Sequence, residues 1–448
     1  MAACVGRYNP RVERATGLRP GGAIRGTLRV PGSKSIAQRA LLAASLAPGR
    51  TAIAGLPRGS DVDAALRLIE DAGAQVERPF PAVVAVHGRP PGPHRGLSPA
   101  GPVSARESGT LARLATAVLA LGAEPGKRHE IRAEGTLLRR ESRALFEALA
   151  RAGVAVESLG AAHGWPVRVR SIGPPSALRI ERPRSSQEVS ALLLAACAWP
   201  DTIAIELVGE IPSRPYLELT RSVLGLFGAR IGDDLAARGP LVAPSDPVEI
   251  EPDASSAAVL LAAACLSEGR AVAAGIRRDS AQPDAGAPAL LARFGCRTGW
   301  EADGPFAEGM PDRGAEVDCR GVPDLAPVLA AVAAAAALRA GAASRLTGLG
   351  TLRGKESDRI AVLARGLEAL GFEVDSSPDF LAIGPSRARS AGAVRLDPAG
   401  DHRMAFAFAL LGLVVDGLTV DDPGCVAKSW PGFWRDLASL GARVRGLG

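Results

Sequence analysis

The sequence predicts an α/β protein of two domains, each assembled from three βαβαββ units, and three observations predict it. Apolar helices with polar beginnings recur six times along the chain. A second, amphipathic series alternates with them and stops each time at a glycine. The intervals between those glycines run from 67 residues (Gly228 to Gly295) to 80 (Gly73 to Gly153), too long for a solenoid repeat but suited to two helices and four short strands.

Residues 31–46, PGSKSIAQRALLAASL, set the pattern. Ser33, Lys34, Ser35 and Arg39 occupy the first turns, and the remainder has no wet face wide enough for a surface helix, so a buried helix with a charged mouth is expected. Free N–H groups and the positive end of the dipole favour an anion there, and Lys34 and Arg39 add full charges. Stretches 108–121, 185–198, 253–266, 324–338 and 401–414 share the design: Ser or Asp to cap the amides, then almost unbroken Ala, Leu and Val. The second series, LRLIEDAGAQV, LFEALARAGVAV, VLGLFGARI, LLARFGCRT, LEALGFEV and LASLGARV, ends its helices at Gly73, Gly153, Gly228, Gly295, Gly371 and Gly441 and continues into strand-like runs.

At 448 residues the chain exceeds what one core usually covers, which favours two domains of three units each. Apolar residues make up 47% but aromatics only 4%, so the core is expected to be closely packed Ala, Leu and Val. Six cysteines stand far apart with no CxxC pair, which argues against a disulfide framework or zinc site and for a reducing compartment. Residues 1–14 lack the apolar core of a signal peptide, and the longest apolar run, 325–338, contains Pro327 and falls short of the roughly 20 residues that span a bilayer. A cytoplasmic protein without membrane contact is expected. The formal charge of +6 does not indicate nucleic acid, because two tyrosines and five tryptophans offer little stacking surface and no basic block occurs. Small anionic ligands fit better.

In chain order, AIRGTLRV (23–30) reads as a strand leading into the first mouth, and 89–101 and 238–247 read as surface loops. If the N-terminal strand completes the second half, the chain crosses between halves near Ser33 and near Asp253. The expected lobes are then 33–252, and 1–32 with 253–448, hinged around a cleft that holds the site.

Lysine usage points to the same place. Four of 53 basic residues are lysine, and Lys34, Lys355 and Lys428 stand in polar clusters, as expected where a compact, titratable ammonium is required. LRGKESDRI (352–360) is the densest such cluster. By charge pattern alone it serves equally as a solvated helix start with Asp358 as first-turn acid.

The ordered set PGSKSxxxRALL, SGTxxR, SSQxxSALLLAA, SRPY, PDxxPxLAA, LRxKESDR, DHRMA and CxxKSxPxF, running from Gly26 to Gly441, resembles the 5-enolpyruvylshikimate-3-phosphate synthase family. The resemblance implies the enolpyruvyl transferase fold, a two-domain inside-out α/β barrel, and a monomer. It also implies transfer of the enolpyruvyl group of phosphoenolpyruvate to the 5-hydroxyl of shikimate 3-phosphate, without metal or organic cofactor. Carried over by position, it places shikimate 3-phosphate against Lys34, Ser35, Arg39, Ser185, Ser186, Gln187, Ser213, Tyr216, Asp324 and Lys355. Phosphoenolpyruvate falls against Lys34, Gly109, Arg140, Gln187, Arg359, Arg403 and Lys428, with Arg139 and Arg143 as rivals of Arg140. Asp324 and Glu356 are the implied acid–base pair, with Lys34 as donor to the leaving phosphate; His402 and Cys425 receive no catalytic role.

The chain departs from the family pattern at Glu107, Ser108 and Leu114 around the second mouth, at Gln38, and within GTLLRRESRAL, which lacks the usual acid and proline. Glu107 sets an acid close to the expected donor pocket, with Arg106 available to neutralise it. Two other readings compete: enolpyruvyl transfer to UDP-N-acetylglucosamine, and a non-catalytic metabolite-binding paralogue. Against the first stand Ser35 after Lys34 and the absence of any cysteine between Cys4 and Cys197; against the second, two carboxylates retained beside anion-binding residues.

Overall fold

The computed structural model describes residues 15–80, 82–88, 97–122, 124–386 and 393–446. Residues 1–14 and most of the loop expected over 89–101 lie outside them. Twelve α-helices follow in chain order: α1 (Lys34–Leu46), α2 (Ser60–Asp71), α3 (Gly109–Gly122), α4 (Arg143–Arg151), α5 (Ser186–Ala196), α6 (Pro215–Leu226), α7 (Ala254–Leu266), α8 (Ala287–Arg293), α9 (Ala326–Ala340), α10 (Arg359–Ala369), α11 (His402–Gly412) and α12 (Phe433–Ser439). Odd-numbered members are the expected buried series and even-numbered members the amphipathic one.

Helix α3 packs on both α1 and α5, and α7, α9 and α11 pack on one another, each group inside its own apolar cluster. Alanine both favours the helix and lets axes approach closely, which is how a core so poor in aromatics reaches full density. In α9 the proline falls in the first turn, where its missing N–H costs nothing, and the helix runs on through an alanine stretch. The apolar stretch Pro323–Ala340 that contains it is long enough to cross a membrane, but it is the 78% buried core helix of its unit. All six stopping glycines adopt left-handed φ values, from 80° at Gly228 and Gly371 to 106° at Gly441, the conformation that ends a helix and turns the chain into the next strand.

Six four-stranded sheets wrap these helices. In the third unit, Ala177–Glu181 runs parallel to Thr202–Val208, which is followed by antiparallel Ala237–Arg238 and Arg230–Ile231. Two sheets are completed from far along the chain. Ala15–Arg19 lies between Leu418–Asp421 and Arg443–Arg445, and Arg25–Leu28 runs parallel to Arg270–Ala273. In return Val248–Glu249 joins Gly49–Ala54 in the first unit's sheet. Between these exchanged strands the two crossings lie side by side: Ser33 N–H donates to the Glu251 carbonyl and Asp253 N–H to the Pro31 carbonyl, both at 2.8 Å.

Close packing makes one helical glycine indispensable. A Cβ at Gly366 of α10 would stand 2.6 Å from the buried Phe408 ring of α11. Alanine normally gains up to about 1 kcal/mol over glycine inside a helix, whereas overpacking costs about 1–3 kcal/mol. Gly366→Ala is therefore expected to lower stability by about 1–2 kcal/mol in urea unfolding.

Candidate active site

A cavity of about 1200 Å³ opens between the two sets of units. Ser35, Arg39, Arg140, Ser185, Ser186, Gln187, Ser213, Tyr216, Asp324, Lys355 and Glu356 line it. Lys34, Gly109, Arg359, Arg403 and Lys428 are not in its wall. They lie directly behind it, each joined to a wall residue or, for Lys34, to a neighbouring acid.

Asp324 sits in the 3₁₀ turn Pro323–Leu325 that leads into α9. Its Oδ1 meets Arg359 Nη1 at 2.9 Å and Lys355 Nζ at 3.4 Å, and its Oδ2 meets Arg403 Nη2 at 3.1 Å. Burial works to raise its pKa, but Arg403, Lys355 and Arg359 together outweigh burial and hold the carboxyl well below the usual range. Arg359 and Arg403 are positioned in turn by Asp401, the N-cap of α11. Asp401 accepts from Arg359 Nε at 2.8 Å and from the Arg403 N–H at 3.0 Å.

Glu356 forms a second centre. Its Oε2 lies 3.0 Å from His402 Nδ1, and its Oε1 lies 3.3 Å from Lys428 Nζ and 4.0 Å from Arg140 Nη2. Burial pushes Glu356 up, yet the His402 ring, Lys34 and Lys428 reverse this and keep it ionised. Burial also lowers the His402 pKa against the pull of Glu356, and Nδ1 stands within hydrogen-bond distance of the Glu356 carboxylate. The fold thus gives His402 a part in the site that the sequence reading withheld. Lys34, at the first residue of α1, pairs with Asp61 at 3.3 Å.

On the opposite wall Arg39 is buried, donates to Thr220 Oγ1 at 2.9 Å, and has its pKa lowered to about 10 by burial. Arg113, assigned no site role from the sequence despite standing in SGTxxR, donates to Gln187 Oε1 at 3.1 Å, Ser142 Oγ at 3.1 Å and the Gly109 carbonyl at 2.9 Å. A Cβ at Gly109 would fall 2.6 Å from Arg140 Nη1 and 2.9 Å from Arg113 Nη1, so only glycine lets two guanidiniums converge there. Arg140 also reaches across to the Lys355 carbonyl at 3.2 Å. Of its rivals, Arg143 is exposed and outside the cavity wall, whereas Arg139, also exposed, lines the wall beside Arg140.

The helix mouths differ from expectation in one respect. Asp253 and Asp401 cap α7 and α11 with their own carboxylates, and Ser185 caps α5 in a reciprocal box with Glu188, so these first amides are already engaged. Only α1 of these four begins without a side-chain cap. The site's positive field therefore comes chiefly from side chains. Glu356, Asp401 and His402 bring three possible metal-ligand atoms within 4.8 Å of one another, but the chain's own cations, Arg359 and Lys428, already engage the two carboxylates. Burial pushes the Cys425 thiol up, as suits an inert cysteine.

Six units around buried helices, with a cationic cleft between two lobes, define an enolpyruvyl transferase fold. The structure of EPSP synthase from Acinetobacter baumannii superposes with a TM-score of 0.73 over 96% of this chain and 99% of that one, at 24% identity. The enolpyruvyl transferase NikO from Streptomyces tendae does so with a TM-score of 0.71, over 96% and 98%, at 20% identity. In sequence, residues 18–437 match the EPSP synthase (3-phosphoshikimate 1-carboxyvinyltransferase) family. The 3-phosphoshikimate 1-carboxyvinyltransferases of Laribacter hongkongensis and Methanoculleus marisnigri are each 34% identical, covering 95% and 94% of this chain and 99% and 98% of their own lengths. The chain belongs to this family of transferases.

Asp324 ionises below the usual range in the fold, so its stabilising contribution is full above the unfolded pKa and is lost as pH falls through the folded one. Asp324→Asn strands Lys355 and Arg403, leaves Arg359 to Asp401 alone, and is expected to cost about 3–5 kcal/mol near neutrality. In urea unfolding at stepped pH, the gap between wild type and variant should narrow on acidification.

Proposed function

We propose that this protein transfers the enolpyruvyl group of phosphoenolpyruvate to the 5-hydroxyl of shikimate 3-phosphate and releases phosphate, in the route to chorismate and the aromatic amino acids. The observation that carries the reading is the pair of partly buried carboxylates, Asp324 and Glu356, each held by several cations around one cleft. Both substrates carry a phosphate and a carboxylate, and bringing them together needs that density of cations.

Shikimate 3-phosphate is assigned to the wall of Ser35, Arg39, Ser185, Ser186, Gln187, Ser213, Tyr216 and Lys355, and phosphoenolpyruvate to Lys34, Gly109, Arg140, Arg359, Arg403 and Lys428. The acceptor oxygen bonds to C2 of the donor while C3 gains a proton. That proton then leaves C3 as the C2–O bond to phosphate breaks, and the vinyl group is restored. Asp324 takes the hydroxyl proton, and its basicity rises as the donor's anionic groups draw Arg359 and Arg403 away. Glu356, oriented by His402, handles the C3 proton, and Lys34 protonates the departing phosphate. Residues 33–252 form one lobe, and 1–32 with 253–448 the other, closing about the paired crossings at residues 31–33 and 251–253. The protein acts as a cytoplasmic monomer.

Glu107 favours one comparison with a second reading. Its Oε2 lies 3.4 Å from Lys428 Nζ and its Oε1 accepts from the Thr136 N–H, so it holds a cation assigned to the donor. A different acceptor, such as a nucleotide sugar, would fit a donor pocket altered in this way.

The deciding assay is phosphate release from phosphoenolpyruvate with each acceptor. Turnover with shikimate 3-phosphate is expected; turnover only with a nucleotide sugar, or with none, would sink the reading. Glu356→Gln should retain binding of both substrates in calorimetry but lose at least about a hundredfold in kcat. Arg140→Met should lose about a hundredfold in kcat/KM, while Arg139→Met and Arg143→Met stay within about threefold. Glu107→Asn should lower the donor's KM about threefold, a small effect because Glu107 is partly exposed and screened.

A further inference from the structure

Asp284 is 2% exposed and stands in the 3₁₀ turn Pro283–Gly286 before α8. Its Oδ2 accepts a short hydrogen bond from Ser255 Oγ, and its Oδ1 lies 3.4 Å from the Tyr216 hydroxyl. Ser255 Oγ also accepts from Arg403 Nη2 at 3.2 Å, and that same nitrogen meets Asp324. Tyr216 comes from α6 in the first set of units, whereas Asp284, Ser255 and Arg403 come from the second. Two residues before Asp284, Gln282 is buried as well: its Nε2 donates to the Pro252 carbonyl at 2.8 Å and its Oε1 accepts from the Ala254 N–H at 3.0 Å. One short turn therefore holds a chain crossing with Gln282 and the opposite wall of the cleft with Asp284.

We propose that Asp284 is a positioning residue, an interlobe clasp whose carboxyl ties the Tyr216 hydroxyl to Ser255 and, through Ser255, to the Arg403 guanidinium. The clasp sets where the acceptor wall stands relative to the donor's cations, so acceptor affinity depends on one proton. The charged and titratable groups facing Asp284 are Tyr216 from α6, Asp253 at the start of α7, the buried Cys319 thiol, Asp324 from the turn before α9 and Arg403 from α11. Helix α8 carries its only charge, Arg293, in its last turn. No cation pairs with Asp284 directly among the described residues. Burial first, and then the nearby Asp324 charge, push its pKa up to about 7 against the pull of Arg403. Protonated, the carboxyl supplies one donor and one acceptor, the pattern that Ser255 and Tyr216 can both satisfy. Ionised, it adds a negative charge beside Asp324 and Asp253.

The proposal rests on the functional reading above for its kinetic test and on folding alone for its second. KM for shikimate 3-phosphate and kcat are measured from about pH 6 to about pH 8 for wild type, D284A and D284N. D284A is expected to raise the acceptor's KM about tenfold across the range with a smaller change in kcat. D284N, whose amide mimics the protonated carboxyl, should keep the wild-type KM at the acid end and lose the rise in KM that wild type shows toward the alkaline end. An unchanged KM in D284A, or a D284N profile that follows wild type, overturns the clasp.

Thermal unfolding without substrates gives a readout that survives failure of the enzymatic assignment. A carboxyl with a raised folded pKa stabilises fully at low pH and loses that contribution as pH rises through it. The melting temperature of D284N should therefore gain on wild type between about pH 5 and about pH 8. A constant difference overturns the proposal. Absence of turnover in wild type with every acceptor would instead strike the functional reading, leaving the melting comparison intact.

Discussion

The site depends on one carboxylate shared by three cations. Lys355, Arg359 and Arg403 crowd onto Asp324, and none of the four would tolerate its burial without the others. The same rule extends outward. Lys34 is answered by Asp61, Arg140 and Lys428 by Glu356, and Arg359 again by Asp401. The cleft's own acids thus offset its cations in part and leave it net positive. On the proposed reading, incoming anions would replace or share these partners, and the groups released by the exchange would be the carboxylates that act as bases.

The scaffold makes such a concentration of charge affordable by keeping it at helix beginnings. Each buried helix is apolar along its length and polar only in its first turns, so the charged groups gather at the cleft while the apolar clusters stay dry. Several of those beginnings are closed by Asp or Ser caps, and this shifts the burden of anion binding from backbone amides to Arg and Lys.

Much of this was legible in the residues because each repeated signal has a local cause. A glycine needed for left-handed φ, a cap before an apolar run and a change of period from helix to strand all act within a few residues. The motif order was equally legible, and it brought Lys34, Asp324, Glu356, Arg403 and Lys428 to one place in advance. What remained hidden was set by contacts distant in sequence. Arg139, Arg140 and Arg143 look alike in GTLLRRESRAL, and only the 3₁₀ turn at Gly135–Arg139 brings Arg140 within reach of Glu356 and the Lys355 carbonyl. Arg113 was visible in its motif, but its bond to Gln187 was not. His402 and Asp284 gained their meaning from Glu356 and Tyr216, partners that no spacing rule connects to them. The capping box between Ser185 and Glu188 was the local signal left unread in SSQE.

The exchanged strands set a timetable for synthesis. Gly17 pairs with Arg445, so the first described strand receives this neighbour only after 428 further residues have been made. At about 5–20 residues per second, it waits about 20 to 85 seconds. The first three units, which need nothing beyond Val248–Glu249, can assemble during that wait. A ribosome that stops early releases one finished half and an edge-exposed remainder, the kind of intermediate that chaperones hold.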